Sequence, residues 1–277
     1  MPNEDKNDGS HPNLSEDDLE QIEEHQVLRS PVLFEIIREE GLSELSRPKA
    51  SLLWSGIAAG IAIGFSVLAE AVLRSYLPDA PWRPLVENIG YSVGFLLVIL
   101  ARLQLFTENT ITPILPLFAD PNKTNLLKVA RLWSIVFIAN MLGAFLFSLF
   151  FVLTPTLNPE VYSSMIEISD HMMHNSWWEM LAKGIVSGWL IAMLVWLLPS
   201  SEGFEFWVIL LVTYMIAAGD FTHIVAGAAE AFLLLFEGKL SIPSMVLDFM
   251  IPVLLGNIIG GTVLFSLISY GQVRKEI

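Results

Sequence analysis

The chain has 277 residues, 53% of them hydrophobic and 16% charged, with a net charge of −14 and a mean hydropathy of +0.58. So little charge, with the apolar residues gathered in runs, excludes an ordinary soluble domain. With no basic stripe, nucleic acid is excluded as a partner; with no cysteine, so are a disulfide framework and a thiolate metal site.

Residues 1–49 form an acidic tail, holding 13 acidic and 5 basic side chains. Residues 1–27 have a disordered composition. Residues 31–46 read as a short amphipathic surface helix, with Pro31 in its first turn, Leu33, Ile36, Ile37 and Leu45 toward one face, and an interruption near Gly41. The domain expected at 50–272 holds six apolar regions, at 51–73, 88–118, 130–153, 181–199, 204–236 and 247–270, and residues 273–277 close the chain. About 20 apolar residues span a bilayer, so each region is a crossing. Arg47, Lys49, Lys123, Lys128, Arg131, Arg274 and Lys275 fall on one side, and Arg74, Arg83, Lys183 and Lys239 on the other. This bias places both termini in the cytoplasm. Most of the tryptophans lie near crossing ends, as in an interfacial belt.

The second and fifth regions exceed 30 residues and are broken by polar stretches: Gln104-Leu-Phe-Thr107-Glu108-Asn109-Thr110 before Pro113 and Pro116, and Gly219-Asp220-Phe-Thr222-His223. Polar breaks at membrane depth require burial in protein or a water-filled cavity. Fragments also recur. Phe106-Thr107 returns as Phe221-Thr222, Asn140-Met-Leu-Gly143 as Asn257-Ile-Ile-Gly260, and Gly56-x-x-x-Gly60 as Gly184-x-x-x-Gly188, with offsets of 115, 117 and 128. The expectation is an all-α polytopic membrane protein of two inverted three-helix repeats with a midplane site. The repeated glycines and asparagines suit close helix contact.

A helix restarting inside the membrane offers unpaired N–H groups and a positive dipole end. Asn109 or Thr110 is the expected cap of the half-helix near Pro113, and Asp220 or Thr222 of the one holding His223. Thr107 and Thr222 are expected to be related by the repeat. The substrate pathway is therefore placed at Thr107, Glu108, Asn109, Thr222 and His223, with His223 either in contact with the solute or holding the loop. Glu108 has Arg102 or His223 as partner, or stays protonated; Glu230 lies seven residues beyond His223 and could share its face. Glu70 is placed near the interface. Asp170-His171-Met-Met-His174 lacks a supporting metal pattern, and no nucleophile–base pair or cofactor motif stands out, so neither catalysis, a metal nor a cofactor is expected.

At these residues the chain resembles the formate/nitrite transporter family. Leu105-Phe106-Thr107-Glu108-Asn109 is similar to its Leu-Phe-Thr-Gly-Asn signature, His223 with Ala226 to its histidine break, Gly188-Trp189 to its fourth helix and Gly256-Asn257-Ile-Ile-Gly260-Gly261 to its sixth. The resemblance implies an aquaporin-like protomer with broken second and fifth helices, assembled as an inner-membrane homopentamer in lipid, with one pore per subunit. It implies a small monovalent anion such as formate or nitrite, often carried with a proton, and constrictions at Phe106 and Ile216, with Leu105 and Ile191. Glu108 replaces the signature glycine, Gln104 a glutamate, Gly188 and Gly227 asparagines, and the lysine expected near 172 is missing, His171 or His174 being the closest substitute. These departures are similar to the YfdC-like branch. The alternatives are a neutral or cationic solute set by Glu108, and a sensor or scaffold that transports nothing.

Overall fold

A computed structural model describes residues 28–277, and every described element is helical. The expectation for residues 1–27 lies outside the described residues. A surface helix, α1 (Ser30–Ser46), precedes the first crossing, α2 (Lys49–Tyr76). The second begins with a short α3 (Arg83–Glu87), continues as α4 (Ser92–Leu100), and resumes after a 3-10 turn at Glu108–Thr110 as α5 (Ile114–Ala119). The third is α6 (Lys123–Leu153). A half-buried helix, α7 (Pro159–Met172), leads to the fourth crossing, α8 (Trp177–Leu197). The fifth is divided into α9 (Glu205–Ala218) and α10 (Ile224–Phe236), and the sixth, α11 (Ile242–Val273), contains two π-helical stretches.

The expected helix at 31–46 is present, but the interruption near Gly41 is not. Gly41 is needed for contact instead: a Cβ there would lie 2.0 Å from the Thr112 carbonyl oxygen of the second crossing. The helix α7 was not foreseen in the acidic loop. Its signals are Pro159 at the first helical position after Asn158, and Val161, Met165 and Met172 at spacings that share a buried face.

The two halves are built on one joint. α4 and α9 each end on a residue in the left-handed region, Arg102 (φ 52°) and Asp220 (φ 53°). The next N–H donates to a carbonyl five residues back, Leu103 to Val98 (3.0 Å) and Phe221 to Ile216 (2.9 Å). Glycine usually makes this cap; here two polar residues do. An asparagine then clamps each break. Asn140 Oδ1 accepts from the Phe106 N–H (2.8 Å) while its Nδ2 donates to the Gly56 and Gln104 carbonyls (2.8 Å each). Asn257 Oδ1 accepts from the Ile224 N–H (2.9 Å) while its Nδ2 donates to the Gly184 and Thr222 carbonyls (2.9 and 3.2 Å).

These bonds align Gln104 with Thr222 and Phe106 with Ile224, an offset of 118. The offsets of 117 and 128 for the asparagines and glycines hold, but the expected equivalence of Thr107 with Thr222 does not. His223 stands opposite Leu105. The helix pairs are pressed together equally tightly: a Cβ on Gly60 would lie 2.2 Å from the Asn140 carbonyl oxygen, and one on Gly188 2.4 Å from that of Asn257. That contact accounts for a glycine at 188, since no side chain fits there.

Candidate functional site

Two cavities enter the bundle from opposite faces. The first, of about 840 Å³, lies beneath α1 and is lined by Glu40, Glu44, Gln104, Glu108, Asn109, Thr112 and Val195 among others. The second, of about 740 Å³, opens at the far end and is lined by Glu70, Tyr91, Thr222, His223, Gly227 and Glu230 with a charged rim. A plug separates them. Tyr91, the residue before α4, lines the second cavity, Ile99 of α4 lines the first, and Phe95 lies one turn from each, fully buried. On α8, Val195 reaches the first cavity, Ser187 bonds the Thr222 carbonyl beside the second, and Ile191 is buried between them. Eight residues at the α-helical rise make the plug about 12 Å thick.

At its centre, Thr107 Oγ1 and His223 Nε2 are 2.7 Å apart. His223 is the N-cap of α10: its Nδ1 accepts from the Ala226 N–H (3.2 Å). This corrects the expectation that Asp220 or Thr222 caps that helix. Because Nδ1 is an acceptor, the ring proton sits on Nε2 and is donated to Thr107 Oγ1. The Thr107 hydroxyl hydrogen is left without an acceptor among the described residues. Phe95 packs edge-on against the imidazole, with ring centroids 5.0 Å apart. Sequence reasoning missed Phe95, since a phenylalanine inside an unbroken apolar run carries no local signal.

The other expected residues divide by position. Leu105, Ile191 and Ile216 are buried in the plug's apolar core, while the Phe106 ring packs edge-on against Trp133 and Phe137 of α6. Asn109 holds the 3-10 turn: Nδ2 donates to Gln104 Oε1 and the Leu105 carbonyl (3.2 Å each), and its own carbonyl accepts from the Trp133 indole (2.8 Å). Neither it nor Thr110 caps α5, which starts after Pro113 with no side-chain cap. Thr222 is tied down by donating to the Met180 carbonyl (2.9 Å). The restart of α10 offers few free donors, because the N–H groups of Ile224, Ala226 and Gly227 are already paired.

Glu108 points into the first cavity and makes no side-chain bond to Arg102 or His223 among the described residues. Arg102 is turned outward and meets Glu40 at 3.5 Å. Glu230 does share the cavity of His223, as does Glu70, which lies deeper than the interface position expected for it. At the rim, Lys183 is bonded to Asp220 and to Asn175, and His171 and His174 line the same mouth.

The sequence profile of the formate/nitrite transporters matches residues 31–271. The chain belongs to the formate/nitrite transporter family. Among its relatives is an inner membrane protein, YfdC, of Escherichia coli K12, 41% identical over 94% of this chain and 84% of its own length. A formate channel of Bacillus thuringiensis, BtFdhC, is 26% identical over 87% of this chain and 94% of its own. The solved structure of a pentameric formate channel with formate bound shares the fold, with a TM-score of 0.70 over 82% of this chain and 98% of that one, at 22% identity. The paired halves seen here are consistent with that fold.

Proposed function

We propose that this transporter-family protein is a pore for a small monovalent weak acid of the formate or nitrite type. It works in the bacterial inner membrane as a homopentamer, each protomer holding its own pathway. One observation carries the reading: two cavities from opposite faces converge on a buried Thr107–His223 hydrogen bond inside an apolar plug. The apolar walls at Phe95, Leu105, Ile191 and Ile216 strip water from a solute, and the Thr107 hydroxyl replaces one of its hydrogen bonds. The formate channels among the relatives, and the pentameric one sharing the fold, support solute class and assembly.

The test is uptake of isotopically labelled formate or nitrite by proteoliposomes, compared with protein-free vesicles. Wild type is expected to accelerate uptake. His223→Ala removes both the Thr107 bond and the α10 cap and is expected to lower uptake about tenfold, the value of one net hydrogen bond. A folded wild-type protein indistinguishable from lipid alone would count against the pore.

A further inference from the structure

One wall of the first cavity is α1 itself. Ile36, Glu40, Ser43, Glu44 and the C-cap Arg47 recur every three to four residues and line that cavity, while Leu33, Phe34, Ile37, Gly41 and Leu45 are buried. The helix seats itself by one stripe and turns a charged stripe toward the pathway. On the charged stripe Arg47 Nη1 donates to both oxygens of Glu44 (3.2 Å each), whose side chain is 17% exposed. The backbone under Arg47 is anchored, since the Leu45 and Arg47 carbonyls accept from Arg131 Nη2 of α6 (2.7 and 3.3 Å).

Gln104 joins this pair from the break of the second crossing, where it is 7% exposed and lines the same cavity. Its orientation is fixed by its neighbour. Asn109 Nδ2 donates to the Leu105 carbonyl, which can only accept, and with its other hydrogen to Gln104 Oε1 (3.2 Å each). Gln104 Oε1 is thus engaged, and its Nε2 is left for Glu44. Two donors from two elements, a guanidinium and an amide, therefore serve one carboxylate. Such donors around a planar, singly charged group are what a protein uses to bind a free carboxylate. Here the carboxylate is the chain's own, and it is held against resistance. Burial pushes the Glu44 carboxyl above its ordinary range; Arg47 pulls against this, Glu40 adds to it, and the Gln104 amide opposes it. Glu44 regains water when it leaves, and a carboxylate that takes its place leaves the charge of the site unchanged.

We propose that Arg47 and Gln104 form a receiving site for a small planar oxyanion, the O–C–O or O–N–O group of the solute, at the first cavity, and that Glu44 is the built-in occupant which the solute displaces. The inference rests on the pore reading above and adds to it a binding site outside the plug and the side chain that competes for it.

The experiment titrates the purified full-length protein in detergent with ¹³C-formate and reads the dissociation constant from NMR line broadening. Glu44→Gln keeps the shape of the side chain and leaves the buried stripe of α1 untouched; it is expected to tighten formate binding about tenfold. Arg47→Gln is expected to weaken binding about tenfold. Gln104→Glu keeps the acceptor for Asn109, loses the N–H donors, and is expected to weaken it too. In the double variant Glu44→Gln with Arg47→Gln, the gain is expected to vanish. Glu35→Gln is the control. It frees Arg38 from an ion pair of the same i,i+3 spacing (2.6 Å), but neither residue lines the cavity, and binding is expected to stay at the wild-type level. Thermal unfolding verifies that each variant is folded. A folded Glu44→Gln protein that binds no more tightly than wild type would overturn the site. So would an equal gain from Glu35→Gln, or a gain from Glu44→Gln that survives the loss of Arg47, since either would reduce the effect to general charge. Proteoliposome uptake decides the pore separately. Uptake by wild type with none of these binding changes strikes the site alone, whereas the expected binding pattern without uptake strikes the pore and leaves the oxyanion site standing.

Discussion

Asn257 makes four hydrogen bonds from one side chain, to the Ile224 N–H, the Gly184 and Thr222 carbonyls and the Ser187 hydroxyl. Two of the bonds go to α8 and two to the break of the fifth crossing, so that break, α8 and α11 are held at one point close to His223. Asn140 does the same for the first half with three bonds. Both side chains are fully buried, where a backbone group without a partner costs about 1–3 kcal/mol. Asn257→Ala and Asn140→Ala are therefore each expected to lower the thermal midpoint by several degrees. Asn257→Asp keeps the acceptor for Ile224 and loses the donors, but it also buries a charge and is expected to be no milder. Tryptophan fluorescence during a thermal ramp in detergent reads this directly. An unchanged midpoint in both alanine variants would mean that the clamps are not what holds the breaks. The asparagines were legible from sequence only as packing residues. Their hydrogen bonds depend on which carbonyls face them, and that is set by residues more than 30 positions away.

At the scale of elements, the crossings were legible because an apolar run long enough to cross needs no tertiary context to be recognised. The divisions inside them were harder to place. Phe-Thr recurs at an offset of 115, and that local identity outweighed the backbone register, which the asparagine clamps set at 118. The caps were misplaced for a related reason. Asp220 and Thr222 are common capping residues, yet Asp220 already closes α9 in the left-handed region, and the Thr222 hydroxyl is spent on Met180. Histidine is then the next side chain in position. Gly41 was read as a helix breaker, since glycine weakens an exposed helix, whereas its missing side chain serves contact between α1 and α5. Alanine there favours the helix itself but sets a Cβ 2.0 Å from the Thr112 carbonyl oxygen and 2.7 Å from its carbon, against backbone that has no way to yield. Gly41→Ala is expected to lift α1 off the first cavity, with Phe34 and Ile37 losing their buried positions, while the crossings remain intact. Limited trypsin digestion at Arg38 should then proceed several times faster than in wild type, with no change in the helical circular dichroism. Equal digestion rates would show that α1 tolerates the extra methyl in its seat.

At the scale of the molecule, the inverted repeat fixes what lies on which side. Three crossings per half is an odd number, so the second half enters from the opposite face, and six crossings return the chain to its starting side. The described ends meet there: Gln272 Nε2 donates to Ser30 Oγ (2.9 Å), and the Phe34 and Tyr270 rings are 5.9 Å apart. The first cavity, α1 and the chain end therefore share one face, and the rim of Glu87, Glu167 and Asp220 belongs to the other. The basic residues, seven against four, cluster on the α1 side, and on that bias we propose this face as the cytoplasmic one. Such a bias orients a membrane protein because positively charged loops are retained in the cytoplasm, and it acts through short loops like those here. The absence of cysteine from the sequence makes a direct test simple, since each introduced thiol is the only one. Asp79→Cys and Asn158→Cys, both exposed on the second-cavity side, are expected to react with a membrane-impermeant maleimide on intact cells. Lys123→Cys and Lys275→Cys, exposed on the α1 side, are expected to react only after permeabilisation. The reverse pattern would turn the protein over, placing the Glu70–Glu230 cavity on the cytoplasmic side and Glu108 on the outer one. Labelling of all four on intact cells would mean that the protein inserts in both orientations and that the charge bias is too weak to decide between them.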